Sequence, residues 1–265
     1  MLLQRGLCTS REQARGLILA GKVKVAGKTV DKAGQAIAED AAIEIVAPEH
    51  NYVSRGGLKL EKAVQQFGFN LLGRRMLDVG SSTGGFTDCA LQNGVARVIA
   101  LDVGTGQLDW KLRNDSRVHV MEKTNIRFVS SSDLPFTPDL VTIDVSFISL
   151  RLVLPVVYGL LGGDGEVIAL IKPQFEAGKE QVSRGKGVIR DAAVHHETIM
   201  SVLTCAQEAG FSLRRLTWSP IRGPEGNIEF IAWLRKGTPM PVPPDFCDLV
   251  CAVVEGAHKD FSGEK

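Results

Sequence analysis

Residues 75–86, RMLDVGSSTGGF, constrain what this chain can fold into more than any other stretch. The apolar run ending at Asp78-Val79 reads as a buried strand. Gly80, Gly84 and Gly85 read as a tight turn, and Phe86 through Leu91 as a helix. The same rhythm continues downstream. ARVIALDVG, RVHVME, DLVTIDVS, EVIALIKP and NIEFIAWLR are strand-like, and residues 192–209 have a helical pattern. Strands alternating with helices imply parallel pairing and right-handed crossovers. The expected fold class is therefore α/β, a doubly wound, Rossmann-like sheet.

The amino-terminal end has a different character. Leu2, Leu3 and Leu7, then Ala14, Leu17 and Ile18, suit two short helices split at 6–10, the second opened by a Ser10/Gln13 capping box and closed by Gly21. VKVAGKTV alternates around Ala26-Gly27 as a hairpin does, and AIEIV is a further strand. Seven basic and two acidic side chains fall in residues 1–32, a net of +5, whereas the whole chain of 265 residues carries only +1. Arg5, Arg11, Arg15, Lys22, Lys24 and Lys28 are thus candidate contacts to a polyanion, the alternative being a solvated charged surface.

These patterns divide the chain into a small α+β unit at 1–47, a polar linker at 48–57, the α/β domain at 58–236 and a tail at 237–265. The tail has four prolines between 239 and 244 and ends in a short apolar helix, read as an appendage docked on the core. Two bounds on function follow from what the chain lacks. No apolar run approaches the ~20 residues that span a bilayer, residues 152–163 being short and interrupted by Pro155. The five cysteines (Cys8, Cys89, Cys205, Cys247, Cys251) are scattered without a C-x-x-C pair, and no secretory signal precedes them. They are expected to be free, buried thiols in a cytoplasmic protein. Cys247 and Cys251 would share a helix face, but two ligands without a second pair do not make a zinc site, so no metal is expected.

The glycine turn is a ligand cradle by chemistry. Glycines let the backbone approach a ligand, and the helix start offers free N–H groups. Asp102 closes the next strand, where an acid can accept from ribose hydroxyls. A dinucleotide needs G-x-G-x-x-G, and Val79 and Ser81 flank a lone Gly80, so that fingerprint fails. The form D-x-G-x-x-x-G-G suits S-adenosylmethionine instead. Asp78 and Gly80 then organise the loop, and Ser82, Thr83, Gly84 and Gly85 attend the methionine end. Glu122 and Asn125 are candidates for the adenosine side. A purely structural turn is the alternative.

Four further polar residues stand in strand-like or strand-adjacent contexts: Lys59 in SRGGLKL, Asp144 in LVTIDVSF, Lys172 in VIALIKPQFE and Glu229 in GNIEFIAW. Open α/β sheets bind ligands at strand ends, so with the glycine loop these four suggest one catalytic cluster. A structural ion-pair network is the competing reading. The adjacent His195 and His196 point to different sides of a helix and read as surface or packing residues.

In order and context these four residues resemble the K-D-K-E tetrad of FtsJ-like ribose 2′-O-methyltransferases. RGLCTSREQARGLILAGKVKVAGKTV resembles the RNA-binding domain named after ribosomal small-subunit protein S4. With VSRGGLKL, LDVGSSTGGFTD, DVGTGQLDWKLRND, DVSFISL, IKPQFEAGK and GPEGNIEFIAWL, nearly the whole chain resembles the TlyA family, whose members go by both haemolysin and ribosomal RNA methyltransferase. The resemblance implies methylation of cytidine 2′-hydroxyls in ribosomal RNA, with S-adenosylmethionine as donor and ribosomal RNA or subunits as partners. Lys172 would be general base or orienter, and Lys59, Asp144 and Glu229 its electrostatic frame. Lys111, Arg113 and Arg127 would extend the RNA footprint, and residues 51–55 would couple RNA binding to donor binding. Family members carry a basic lead-in, whereas this sequence opens at MLLQRGL, which implies a shortened first helix or a late start, with some RNA affinity missing. The rival functions are a non-catalytic RNA-binding protein and a membrane-active haemolysin. The second finds no spanning segment, cationic amphipathic helix or export signal in the sequence.

Overall fold

The computed structural model describes residues 1–8, 11–19, 21–30, 32–46, 50–237 and 246–263, apart from the side chains of Glu12, Gln13, Leu19 and Lys179. The expected Ser10 cap and the prolines of the tail lie outside the described residues.

The small unit comprises α1 (Arg11–Leu19), β1 (Val23–Val25), β2 (Lys28–Thr29) and β3 (Ile43–Ile45), its strands forming an antiparallel sheet in the order β2-β1-β3. Ala26 and Gly27 both have positive φ, 49° and 77°, the backbone a two-residue hairpin turn needs. Leu2, Cys8 and Val23 form its core with Ala14, Leu17 and Ile18 packed against them. Of the two helices expected here, only α1 forms. Residues 1–7 make a single turn, closed by Arg5 N–H on the Met1 carbonyl and ended by Gly6 at φ +70°, too short to offset helix nucleation.

The large unit runs α2 (Gly56–Phe67), β4 (Arg75–Val79), α3 (Gly85–Gln92), β5 (Arg97–Leu101), α4 (Trp110–Arg113), β6 (Val118–Met121), β7 (Leu140–Ile143), α5 (Leu150–Leu160) and β8 (Glu166–Ile171). It continues through α6 (Pro173–Glu176), α7 (Lys179–Arg184), α8 (Ala192–Glu208), β9 (Phe211–Trp218), β10 (Phe230–Lys236) and α9 (Phe246–Ser262). Its seven strands lie in the order β6-β5-β4-β7-β8-β10-β9. Alternate strand residues face opposite layers. Leu77 and Val79 pack with α5, α8 and α9, and Met76 packs with α2 and α3. The strand order reverses between β4 and β7, the switch point at which such sheets open a crevice.

Several expectations change. The sheet is parallel only from β6 to β8, and β10 pairs antiparallel with both β8 and β9. Strand β9 itself was not anticipated, because FSLRRLTW carries Arg214 and Arg215 at an exposed sheet edge and so lacks an apolar run. The tail is more than an appendage. Helix α9 contributes Val250, Val253, Val254, Ala257 and Phe261 to the larger core. Nor does Pro155 interrupt its segment: α5 continues through it, and the Arg151 carbonyl that proline cannot serve accepts the Cys205 thiol at 3.7 Å. Cys8 and Cys89 are buried as expected, but Cys205 is half-buried and Cys247 and Cys251 are exposed on the flank of the α9 apolar stripe.

Candidate active site

The glycine turn folds by hydrogen bonding back onto its neighbours. Gly80 N–H and Ser81 N–H donate to the Leu101 carbonyl at 2.8 and 3.1 Å. Gly80 has φ +84°, and a Cβ there would lie 2.6 Å from the Asp144 carbonyl oxygen. Only glycine lets the turn lie against the end of β7. At Gly85 a Cβ would meet Ser54 Oγ at 2.4 Å and Gly57 N at 2.7 Å, so the first turns of α2 and α3 are in contact. Asp78 is fully buried beneath the turn, its carboxylate accepting from Thr87 Oγ1 at 2.7 Å and Thr142 Oγ1 at 2.8 Å. Burial lifts its pKa to about 6 against the opposing threonine hydrogen bonds, with the Asp144 charge adding to the rise. It ties α3 to β7 rather than facing the crevice.

Asp102 follows β5 and holds the turn from the other side, accepting from Ser82 N–H at 2.8 Å and Gly104 N–H at 2.7 Å. Ser82 is exposed, with φ +46°, while Thr83, Gly84 and Gly85 are buried. Glu122 accepts from Gly106 N–H at 2.9 Å and pairs with Arg113; Asn125 caps a short 3-10 turn by accepting from Arg127 N–H at 3.1 Å. Both lie after β6, on the side of the crevice beyond Asp102.

The four tetrad candidates meet, and each arrives from a different element. Lys59 is in the first turn of α2; Asp144 and Lys172 follow β7 and β8. Glu229 precedes β10. In a parallel strand a residue in that position would fall at the wrong edge of the sheet. Antiparallel pairing, with Phe230 opposite Ile171, brings it beside Lys172 instead. Lys59 Nζ lies 2.7 Å from Glu229 Oε2 and 3.5 Å from Asp144 Oδ2. Lys172 Nζ lies 2.5 Å from Asp144 Oδ1 and donates to Ser146 Oγ at 3.1 Å. Asp144 therefore bridges the two lysines.

Burial orders the cluster. Glu229 is 1% exposed at its floor; Ser146 and Phe147, beyond Asp144, are exposed at its mouth. Burial opposes the charge of Lys59, but the Asp144 and Glu229 carboxylates outweigh it and raise its pKa. Burial likewise works against the Asp144 carboxylate, and Lys172 and Lys59 overcome it, holding the pKa at about 2. Two charge-compensated pairs thus persist in a buried pocket, where an unpartnered charge would be costly.

Sequence reasoning missed three neighbours. Ser146, two residues past Asp144, accepts from Lys172. Phe147 has φ +65°, is 91% exposed and lies 5.1 Å from the Phe175 ring. Glu176 is buried and accepts from Ser149 Oγ at 2.5 Å and Leu150 N–H at 2.7 Å, joining the start of α5 to the segment after Lys172. The lone aromatic in DVSFIS was the available signal for Phe147; nothing local marks Glu176.

The stretch preceding α2 is less linker-like than its composition. Tyr52 is buried against Gly57, where a Cβ would sit 2.4 Å from the ring, and Val53 N–H donates to Asp88 Oδ2 at 2.9 Å. Of the basic residues, Arg11, Arg15 and Lys28 are exposed and Lys22 and Lys24 half-buried. Arg5 is committed to structure, donating to the Glu39 and Ala41 carbonyls. Lys111 pairs with Asp88 at 3.2 Å, and Arg127 lies over the Phe128 ring. The two units also touch through Lys32 and Glu225, 2.5 Å apart. Among the described residues no helix is long and apolar enough to cross a membrane.

Comparison with known proteins agrees with this architecture. The chain matches the FtsJ-like methyltransferase family over residues 52–236 and the S4 domain over residues 1–43. It is 45% identical to the 16S/23S rRNA (cytidine-2'-O)-methyltransferase TlyA of Mycobacterium tuberculosis, the match covering 89% of this chain and 88% of that one. Hemolysin A of Brachyspira hyodysenteriae is 41% identical over 86% of this chain and 94% of its own length. A solved structure from Streptococcus thermophilus, described as a candidate hemolysin, has a TM-score of 0.79 at 43% identity, covering 99% of this chain and 95% of that one. On both the sheet with its bridged lysines and these matches, the chain belongs to the TlyA family, FtsJ-like methyltransferases that carry an S4 domain.

Proposed function

We propose that this protein transfers a methyl group from S-adenosylmethionine to the 2′-hydroxyl of a cytidine in ribosomal RNA. The observation that carries the reading is the contact between its two halves. The Gly80 turn, which fits a ligand approached by backbone alone, lies against Asp144, and Asp144 bridges Lys59 and Lys172. The mycobacterial relative is named for this chemistry on 16S and 23S rRNA.

When bound, the donor supplies an electrophilic methyl on a sulfonium. The chain's own residues must align the ribose oxygen and remove its proton as the new bond forms. Lys172, beside the exposed end of the cluster, meets the hydroxyl. It serves as general base toward that oxygen or as the group that orients it while the proton leaves. Asp144, with a pKa near 2, is too weak a base to store that proton and acts through its charge and by fixing Lys172. Lys59 and Glu229 form the buried pair that keeps Asp144 in place. Asp102 and the glycine turn that it braces through Ser82 N–H attend the donor, with Glu122 and Asn125 beyond them. The amino-terminal unit adds phosphate contacts through Arg11, Arg15, Lys22, Lys24 and Lys28, and these orient the substrate without reading its sequence. RNA is the natural substrate because DNA lacks the acceptor oxygen.

The test is transfer of labelled methyl to ribosomal subunits that lack the modification, comparing wild type with Lys172→Ala. Label recovered in an alkali-resistant dinucleotide, and lost with Lys172→Ala, is the expected result. Subunit binding without transfer by the wild-type protein would refute the enzyme reading for those substrates and favour a binding protein.

A further inference from the structure

We propose that His196, Cys247 and Cys251 form a binding site for a zinc-class divalent cation that clamps α9 to α8. The chain itself shows only two cysteines four residues apart. The fold adds the third group, since His196, 51 residues before Cys247, brings Nε2 to 3.4 Å from Cys247 Sγ. The imidazole nitrogen and the two sulfurs all lie within 4.8 Å of one another, and they are the only such trio among the described residues. A tetrahedral zinc with two thiolates and one imidazole separates its ligand atoms by about 3.5–3.8 Å. Side-chain rotation of an ångström or so therefore closes the trio around a cation.

The donor set selects the metal. Two sulfurs and an imidazole suit Zn2+ and exclude the hard, oxygen-seeking Mg2+ and Ca2+. Exposure points the same way. Free cysteine is among the most buried residue types, yet Cys247 and Cys251 are both exposed on one turn of one helix with an imidazole alongside. A cation can enter from solvent, and water can take the fourth position. Among the described residues, no group outside the trio hydrogen-bonds these atoms. His195, the next residue on α8, is buried against Phe230 and pairs through Nδ1 with His258 Nε2 at 2.9 Å. None of the tetrad candidates lies on α8 or α9, so the site is separate from methyl transfer.

Binding deprotonates both thiols and releases two protons, so affinity rises with pH. The full chain, reduced and stripped of metal, is titrated with Co2+ and then with Zn2+. The expected result is one equivalent of Co2+ giving a thiolate-to-cobalt charge-transfer band and strong tetrahedral visible bands, both abolished by Zn2+. Cys247→Ser, Cys251→Ser and His196→Asn each weaken binding about tenfold or more while leaving circular dichroism and methyl transfer unchanged. Zn2+ at a hundredfold excess over its Kd raises the wild-type melting midpoint by about 5 °C and leaves the Cys247→Ser/Cys251→Ser double variant unmoved. Absence of the charge-transfer band overturns the proposal. So does binding by the double variant at wild-type affinity, which places the cation elsewhere.

Discussion

Asp78 offers a perturbation whose size follows from its surroundings. The carboxyl is fully buried beneath the Gly80 turn, held by two threonine hydroxyls, with a pKa raised from 3.8 to about 6. A raised pKa means that the folded protein binds this proton more tightly than the unfolded chain. The resulting stabilisation is complete below pH 3.8 and is lost as pH rises through about 6. The shift of roughly two units corresponds to about 3 kcal/mol, so above pH 7 the ionised form costs the fold that much relative to the acid. Asp78→Asn removes the titration and keeps the shape. Its amide accepts from one threonine and donates to the other, whose hydroxyl can rotate to receive it. Relative to wild type, the variant should therefore gain about 3 kcal/mol in stability between pH 4 and pH 8. That is roughly 6–12 °C in melting midpoint for a domain of this size. Urea unfolding at several pH values, with unchanged m, measures it directly. A difference that does not vary with pH would refute the reasoning. A variant that loses ground as pH rises would show that the threonine hydrogen bonds outweigh burial.

The remaining predictions concern the crevice and the amino-terminal unit. Asp144→Asn leaves Lys59 and Lys172 with Glu229 alone, so methyl transfer should collapse and stability fall by about 3 kcal/mol near neutral pH. Because the Asp144 pKa is depressed to about 2, its contribution exists above pH 3.8 and disappears as pH falls through 2, an acid-side loss the variant should not show in unfolding experiments. Gly80→Ala sets a Cβ 2.6 Å from the Asp144 carbonyl at φ +84° and should abolish S-adenosylhomocysteine binding in calorimetry, at a stability cost of about 1–3 kcal/mol. Replacing Lys22, Lys24 and Lys28 with alanine should lower the slope of log affinity for RNA against log salt by about 2–3, with donor affinity unchanged. An unaltered slope would remove those lysines from the interface.

What could be read from the chain depended on the range over which each feature is determined. The β4–turn–α3 unit was legible because strand, glycines and helix are consecutive, and Gly80 has its special φ within that unit. Asp144 and Lys172 were legible as strand ends for the same reason. Glu229 was legible as a member of the same cluster, but the strand direction that brings it beside Lys172 was not. Alternation within β10 shows which residues face which layer, but the direction of pairing is decided by β8 and β9, and antiparallel pairing alone delivers the residue before β10 to the crevice. Glu176 and Tyr52 illustrate the same limit. Glu176 serves α5 from the segment beyond β8, and Tyr52 serves α2 through the space that Gly57 leaves. Gly57 shows how the limit works physically. In the chain SRGGL reads as a loop, since two adjacent glycines weaken a helix. Its value as a helix start appears only when the Tyr52 ring occupies the position that a Cβ would fill, and the contact of Gly56 and Gly57 with Gly85 then sets Lys59 beside the donor turn. The catalytic cluster is assembled by such packing contacts, so its members can be recognised individually in sequence while their arrangement depends on residues that carry no chemistry themselves.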